Sequence, residues 1–128
     1  MPRFVILRHA EYPGRNDHYD LMLEKGQSLK TWELEDVDFS RSRTAIQKPD
    51  HRLTYLQYEG DISGNRGKVY RVEAGTYESM DEEAHQWRVR FKSKTLNGEF
   101  LLQRLSNDAS EWRFVPENSS LETRQDSL

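Results

Sequence analysis

Alternation of polar and apolar residues, punctuated by turn chemistry, is the feature that most limits what this chain can fold into. A period of two places successive side chains on opposite faces of an extended segment, so the pattern specifies strands with one face to bury. In 17–26 (DHYDLMLEKG), His18, Asp20 and Met22 fall on one face and Tyr19, Leu21 and Leu23 on the other. The segment 3–9 (RFVILRH) is short and rich in strand formers, and 28–34 (SLKTWEL) follows a turn at Lys25-Gly26-Gln27. Residues 35–42 read as loop, and 43–48 (RTAIQK) as a strand ended by Pro49. The stretch 52–60 (RLTYLQYEG) alternates and predicts another strand, 62–67 (ISGNRG) a loop, and 68–78 (KVYRVEAGTYE) a further strand.

Ser79 with Glu82 three residues on is a capping-box signature and predicts a short helix to about Gln86, carrying His85 on an exposed face. Asn97-Gly98, between WRVRFKSKTL and EFLLQRL, is a strong two-residue hairpin signal. EWRFVP (111–116) is the last strand. The sum is an all-β protein: a compact antiparallel β-barrel with one or two short helices, a single domain over 1–116, and a flexible tail over 117–128. At 128 residues, there is room for one modest core, and Trp32, Trp87 and Trp112 are expected in it.

Composition excludes several functions. Without cysteine there is no disulfide, thiolate metal site or thiol nucleophile. The longest apolar run near the start, FVIL, is too short for a signal-peptide core or a membrane span, so a cytoplasmic protein with no membrane partner is expected. A net charge of −3 argues against coating of duplex DNA, but not against contact with a few phosphates at a strand end. The cations lean to arginine, whose planar fork suits phosphate oxygens, although most charged residues here read as decoration of solvated faces.

The chemistry gathers near the N-terminus. His18 and Asp20 share a strand face with Cβ atoms roughly 6–7 Å apart, and His9 closes the preceding strand. Two imidazoles and a carboxylate form a facial set suited to Mn, Fe or Zn, whereas unrelated polar residues on a wet hairpin would produce the same spacing. Such a set also serves hydrolases and oxygenases of small molecules. No phosphate-cradling glycine loop, GxSxG or HExxH is present.

RFVILRHAEYPGRNDHYDLMLE followed by LKTWEL resembles the opening of the 3′-phosphoesterase domain of bacterial DNA ligase D. DHRLTYLQYEG, AGTYE, LNGEFLLQRL and EWRFV match later segments of that family in order, to about Val115. The resemblance implies a β-barrel with a groove, and a Mn²⁺-dependent enzyme of DNA repair by non-homologous end joining. Members of that family remove a 3′-terminal ribonucleotide and then a 3′ phosphate. It implies His9, His18 and Asp20 as ligands of Mn²⁺, with Zn²⁺ or another divalent transition ion as alternatives. His51, Tyr55 and Arg43 fall at phosphate-binding or catalytic positions, with Arg52 beside His51 as a further substrate contact. Nucleic-acid 3′ ends are the implied partner, along with the ligase or polymerase of end joining.

Two departures stand out. Met22 occupies the place of the family's arginine in Asp-Leu-Arg-Leu-Glu, and methionine cannot donate to a phosphate oxygen. Pro49 replaces the family's glutamate two residues before His51. Arg8, Arg15, Arg52 and Arg66 are the candidates to supply the missing charge, and on this reading Met22→Arg would raise activity. The alternative is an end-binding module of the same fold that has lost the chemistry. His51 and Tyr55 would stand about 13 Å apart on a regular strand, so a shared phosphate requires a bend between them.

Overall fold

The computed structural model describes residues 1–106 and 109–117. Its strands are β1 (Arg3–Ala10), β2 (His18–Lys25), β3 (Ser28–Leu34), β4 (Arg43–His51), β5 (Gly60–Asp61), β6 (Lys68–Glu83), β7 (Gln86–Lys92), β8 (Asn97–Arg104) and β9 (Glu111–Pro116). One 3-10 turn, Leu53–Leu56, is the helical element among the described residues. The sheet order β1-β2-β3-β4-β9-β8-β7-β6-β5 is antiparallel throughout, and β1 also pairs with β6. The sheet therefore closes into a barrel-like ring, which leaves few exposed edges. The sixteen residues of β6 make this possible, pairing with β1 through 68–76 and with β7 through 76–83.

The expected all-β barrel stands, but its details differ. The predicted helix at 79–86 is strand, joined to β7 by a tight turn at Ala84 and His85. Ser79 does not cap; its Oγ accepts from Trp87 Nε1 across the hairpin at 2.8 Å. The segment lacks an apolar helical stripe, and pairing with Trp87, Val89 and Phe91 decides its state. His85 is exposed, as expected. Asn97-Gly98 does not form the β7–β8 turn but opens β8, with Lys92 opposite Asn97 and Phe91 opposite Gly98. Residues 93–96 make the connection, tied by Ser93 Oγ donating to the Leu96 carbonyl at 3.0 Å and by burial of Leu96.

The predicted strand at 52–60 is instead the 3-10 turn followed by the short β5. Turn bonds from Tyr55 N to Arg52 O and from Gln57 N to Thr54 O replace ladder bonds. Leu53 and Leu56, one 3-10 turn apart, face the same apolar patch. Pro49 does not end β4, which runs on to His51. The partner β9 covers β4 only from Arg43 to Ile46, so Pro49 meets no ladder acceptor on that edge. Of the predicted tail, residues 118–128 lie outside the described residues.

Two apolar clusters lie on opposite faces of β1–β3. The barrel interior holds Phe4, Ile6, Leu21, Leu23 and Leu34, together with all three tryptophans, as expected. Phe100 and Phe114 stack there at 4.7 Å, and Trp32 meets Trp112 edge-on at 5.6 Å. The outer face carries Val5, Leu7, Met22 and Leu29, covered by Leu56 and Val69. Each such side chain contributes about 1.5–3 kcal/mol when fully removed from water. This second cluster fixes the 3-10 turn against the outer face beside the polar residues of β2. No helix of the described residues is long and apolar enough to cross a membrane.

Candidate metal centre

The register of β1 and β2 sets His9 directly opposite His18, with Leu7 opposite Asp20. The period of two then brings His9, His18 and Asp20 to one end of the outer face. One ligand atom from each lies within 4.8 Å of the others. His9 Nδ1 is 3.9 Å from Asp20 Oδ2, and His18 Nε2 is 3.9 Å from Asp20 Oδ1. The imidazole centroids are 4.8 Å apart.

Hydrogen bonds behind the rings fix what they present. His9 Nε2 lies 2.5 Å from the Arg66 carbonyl, which can only accept, so Nε2 carries a proton and Nδ1 faces Asp20. His18 Nδ1 faces the Asn16 carbonyl at 3.5 Å, a long contact of the same sense that leaves Nε2 toward Asp20. Arg66 reaches His9 because Gly67 follows it. At φ +82° its backbone passes so close that a Cβ would lie 2.2 Å from the Ala10 carbonyl oxygen.

Two ring nitrogens and a carboxyl group face one another here, a donor set suited to a cation once Asp20 gives up its proton. Burial, with Glu33 close by, pushes the Asp20 carboxyl up to about 7. Burial likewise lowers the pKa of His18, against the pull of Glu33. The residues present therefore fit a divalent ion held by His9, His18 and Asp20.

Glu33, opposite Asp20 on β3, adjoins this trio. Its Oε1 lies 3.7 Å from His18 Nε2 and 3.4 Å from Lys48 Nζ, and its Oε2 accepts from Arg15 Nη2 at 2.8 Å. Burial opposes ionisation of Glu33, but His18, Lys48 and Arg15 together outweigh it and hold the carboxyl below its usual range. A groove beside it is lined by Arg15, Asn16, His18, Glu33 and Thr44.

The other expected residues divide. His51 and Tyr55 come together, ring centroids 5.6 Å apart, because the chain leaves β4 at His51 and bends into the 3-10 turn. They form a second pair rather than part of the trio. His51 lies opposite Leu29, four residues along β3 from Glu33, a displacement of about 13 Å along the strand. Arg52 lines a separate groove with Tyr55 and Tyr58. Arg43 pairs across the sheet with Phe114 and so shares the interior face, where its Nη1 donates to Asp36. Met22 is on the face of His18 and Asp20 as expected, but only 1% exposed within the outer apolar cluster.

Of the four candidate replacement arginines, Arg15 enters the groove beside the trio, and Arg66 contributes its carbonyl to His9. Arg8 pairs with Asp17 at 2.9 Å and Arg52 stays near Tyr55. Glu33 and Lys48 were not singled out from the sequence. The signal for Glu33 was its position between the inward-facing Trp32 and Leu34, which turns it to the His18 face.

Residues 9–104 match the DNA ligase D 3′-phosphoesterase domain. The chain belongs to that family. Among relatives of this 3′-phosphoesterase domain, the multifunctional non-homologous end joining protein LigD of Mycobacterium bovis is 32% identical over 116 residues. That alignment covers 82% of this chain and 15% of the relative. The LigD protein of Pseudomonas aeruginosa is 28% identical over 126 residues, covering 88% of this chain and 15% of its own. The chain thus spans about 15% of the length of the curated relatives it matches.

Proposed function

We propose that this 3′-phosphoesterase domain is a divalent-cation-dependent phosphoesterase that processes nucleic-acid 3′ ends in non-homologous end joining, with Mn²⁺ as the working ion. The observation that carries this reading is the convergence of His9 Nδ1, His18 Nε2 and Asp20 within 4.8 Å, inside the segment matched to the family. A bound divalent ion would supply Lewis-acid polarisation of the phosphate and acidify a coordinated water. His9, held by the Arg66 carbonyl, and His18, held near the Asn16 carbonyl, orient the site before any ligand arrives. Arg15, on Glu33, stands at the groove where phosphate oxygens would be received, and Lys48 pairs with Glu33 beside it. Water would attack phosphorus, and the bond from phosphorus to the sugar or leaving-nucleoside oxygen would break. His51 and Tyr55 are assigned to the strand beyond the scissile phosphate, as a phosphate contact and its aromatic support.

Burial of Met22 favours a second reading, in which the domain binds 3′ ends without cleaving them, since position 22 offers no cation to the phosphate. Incubation of the purified chain with Mn²⁺ and a labelled primer–template ending in a 3′ ribonucleotide separates the two. Release of the terminal nucleoside and phosphate, lost in His9→Ala, is the expected result. Tight binding of the 3′ end without release would leave the binding module.

A further inference from the structure

Glu33 is a carboxylate adjoining the trio that neither the sequence nor the resemblance assigned, and its surroundings are those of a ligand. Its two oxygens are treated differently. Oε2 is clamped by the Arg15 guanidinium at 2.8 Å, which fixes the carboxylate plane. Oε1 is thereby turned inward, buried, to 3.7 Å from His18 Nε2. That nitrogen also faces Asp20 Oδ1 at 3.9 Å. Carboxylates from β2 and β3 thus approach one imidazole nitrogen from two sides, and the Asp20–Glu33 cross-strand pairing makes this a property of the sheet rather than of a mobile loop. The charge that faces Oε1 in this structure is the Lys48 ammonium, 3.4 Å away on a half-exposed side chain that can swing out.

We propose, building on the metal-centre reading above, that Glu33 is a fourth side chain of the cation site, making it a two-imidazole, two-carboxylate set. The second carboxylate changes which ions fit. Added oxygen ligands and negative charge favour harder ions such as Mn²⁺ and Mg²⁺ over the softer preferences of an imidazole-rich site. Arg15 then has a defined role as a positioning residue, since it orients Glu33 and touches no ion itself. Lys48 occupies Oε1 until an ion displaces it.

The test is Mn²⁺ binding to the full chain without nucleic acid, by calorimetry and by the Mn²⁺ electron paramagnetic resonance signal. Wild type, Glu33→Gln, Asp20→Asn and Arg15→Met would be compared, each checked for wild-type circular dichroism. Glu33→Gln keeps an oxygen for Arg15 but removes the charge. It is expected to weaken Mn²⁺ by about 10–100-fold. Asp20→Asn should lose binding, and Arg15→Met, which frees the Glu33 carboxylate to turn, should weaken Mn²⁺ by less than Glu33→Gln does. If Glu33→Gln binds like wild type while Asp20→Asn does not, the fourth-ligand assignment falls and the three-residue site stands. If Arg15→Met weakens Mn²⁺ more than Glu33→Gln does, Arg15 acts on the site other than through Glu33 and its positioning role falls. If Asp20→Asn binds like wild type, the metal centre itself is wrong and Glu33 goes with it.

Discussion

Met22 is where resemblance and structure pull in opposite directions, and Met22→Arg is the substitution that decides between them. Reasoning from the family's arginine, the change restores a phosphate donor and raises 3′-processing. In the structure Met22 is 1% exposed, packed with Val5, Leu7, Leu29, Leu56 and Val69, and lies opposite the buried Thr31, whose hydroxyl already donates to the Leu29 carbonyl. A guanidinium there has either to remain unpaired or to force the 3-10 turn off the outer face. An uncompensated buried charge costs about 3–5 kcal/mol. A domain of this size has roughly 5–15 kcal/mol of stability in total, so the loss is a large fraction of it. At about 4 °C per kcal/mol the expected fall in Tm is roughly 12–20 °C. Met22→Ala serves as the apolar control, and at the low end of about 2–5 kcal/mol because a cluster on the outer face can collapse inward. Thermal unfolding followed by circular dichroism gives the stability, and nucleoside release from a 3′-ribonucleotide primer–template at 20 °C below each Tm gives the activity. The expected outcome is a strongly destabilised Met22→Arg with no gain in processing. A Met22→Arg that melts with wild type and trims faster would refute the reasoning, because the outer cluster would then yield to an arginine at no cost.

Three further outcomes follow from the site. Asp20, raised to about 7 from 3.8, keeps its proton in the folded metal-free chain while the unfolded chain loses it. Its effect on stability is therefore present below about 3.8 and lost as pH rises toward about 7, so the Tm of the metal-free wild type should fall relative to Asp20→Asn across that window; a pH-independent difference would contradict this. For the same reason Mn²⁺ affinity should rise with pH and level off above about 7, with proton release detectable by calorimetry in buffers of different ionisation enthalpy. Gly67→Ala puts a Cβ 2.2 Å from the Ala10 carbonyl oxygen at a positive φ, so it should cost several times the ~1 kcal/mol typical of a mutation and weaken Mn²⁺ by displacing the Arg66 carbonyl from His9.

What the sequence determined by itself is what rests on local periodicity. The alternation in 17–26 put His18 and Asp20 on one face and Leu21 and Leu23 on the other, and the structure keeps both assignments because side-chain parity along a strand is a property of the backbone. The all-β architecture and the burial of the three tryptophans follow from the same pattern. Local signals failed where cross-strand partners outweighed them. Ser79 and Glu82 read as a helix start, yet the apolar face of β7 drew them into a hairpin. Asn97-Gly98 reads as a turn, yet burial of Leu96 moved the connection to 93–96.

The site shows the same division. Its three potential ligands could be named from spacing, but their convergence depends on His9 pairing with His18, a register set by the whole β1–β2 ladder. The Arg66 carbonyl behind His9 comes from 57 residues away, and nothing in either local sequence marks it. Glu33 and Lys48 meet because β3 and β4 are neighbours in the sheet, Arg15 reaches Glu33 from the segment before β2, and Arg43 is drawn off to Asp36 because its parity turns it to the interior. Sequence decides which way each side chain faces along its own strand. The tertiary structure decides which strands lie side by side and at what register, and that sets which side chains can share one ion.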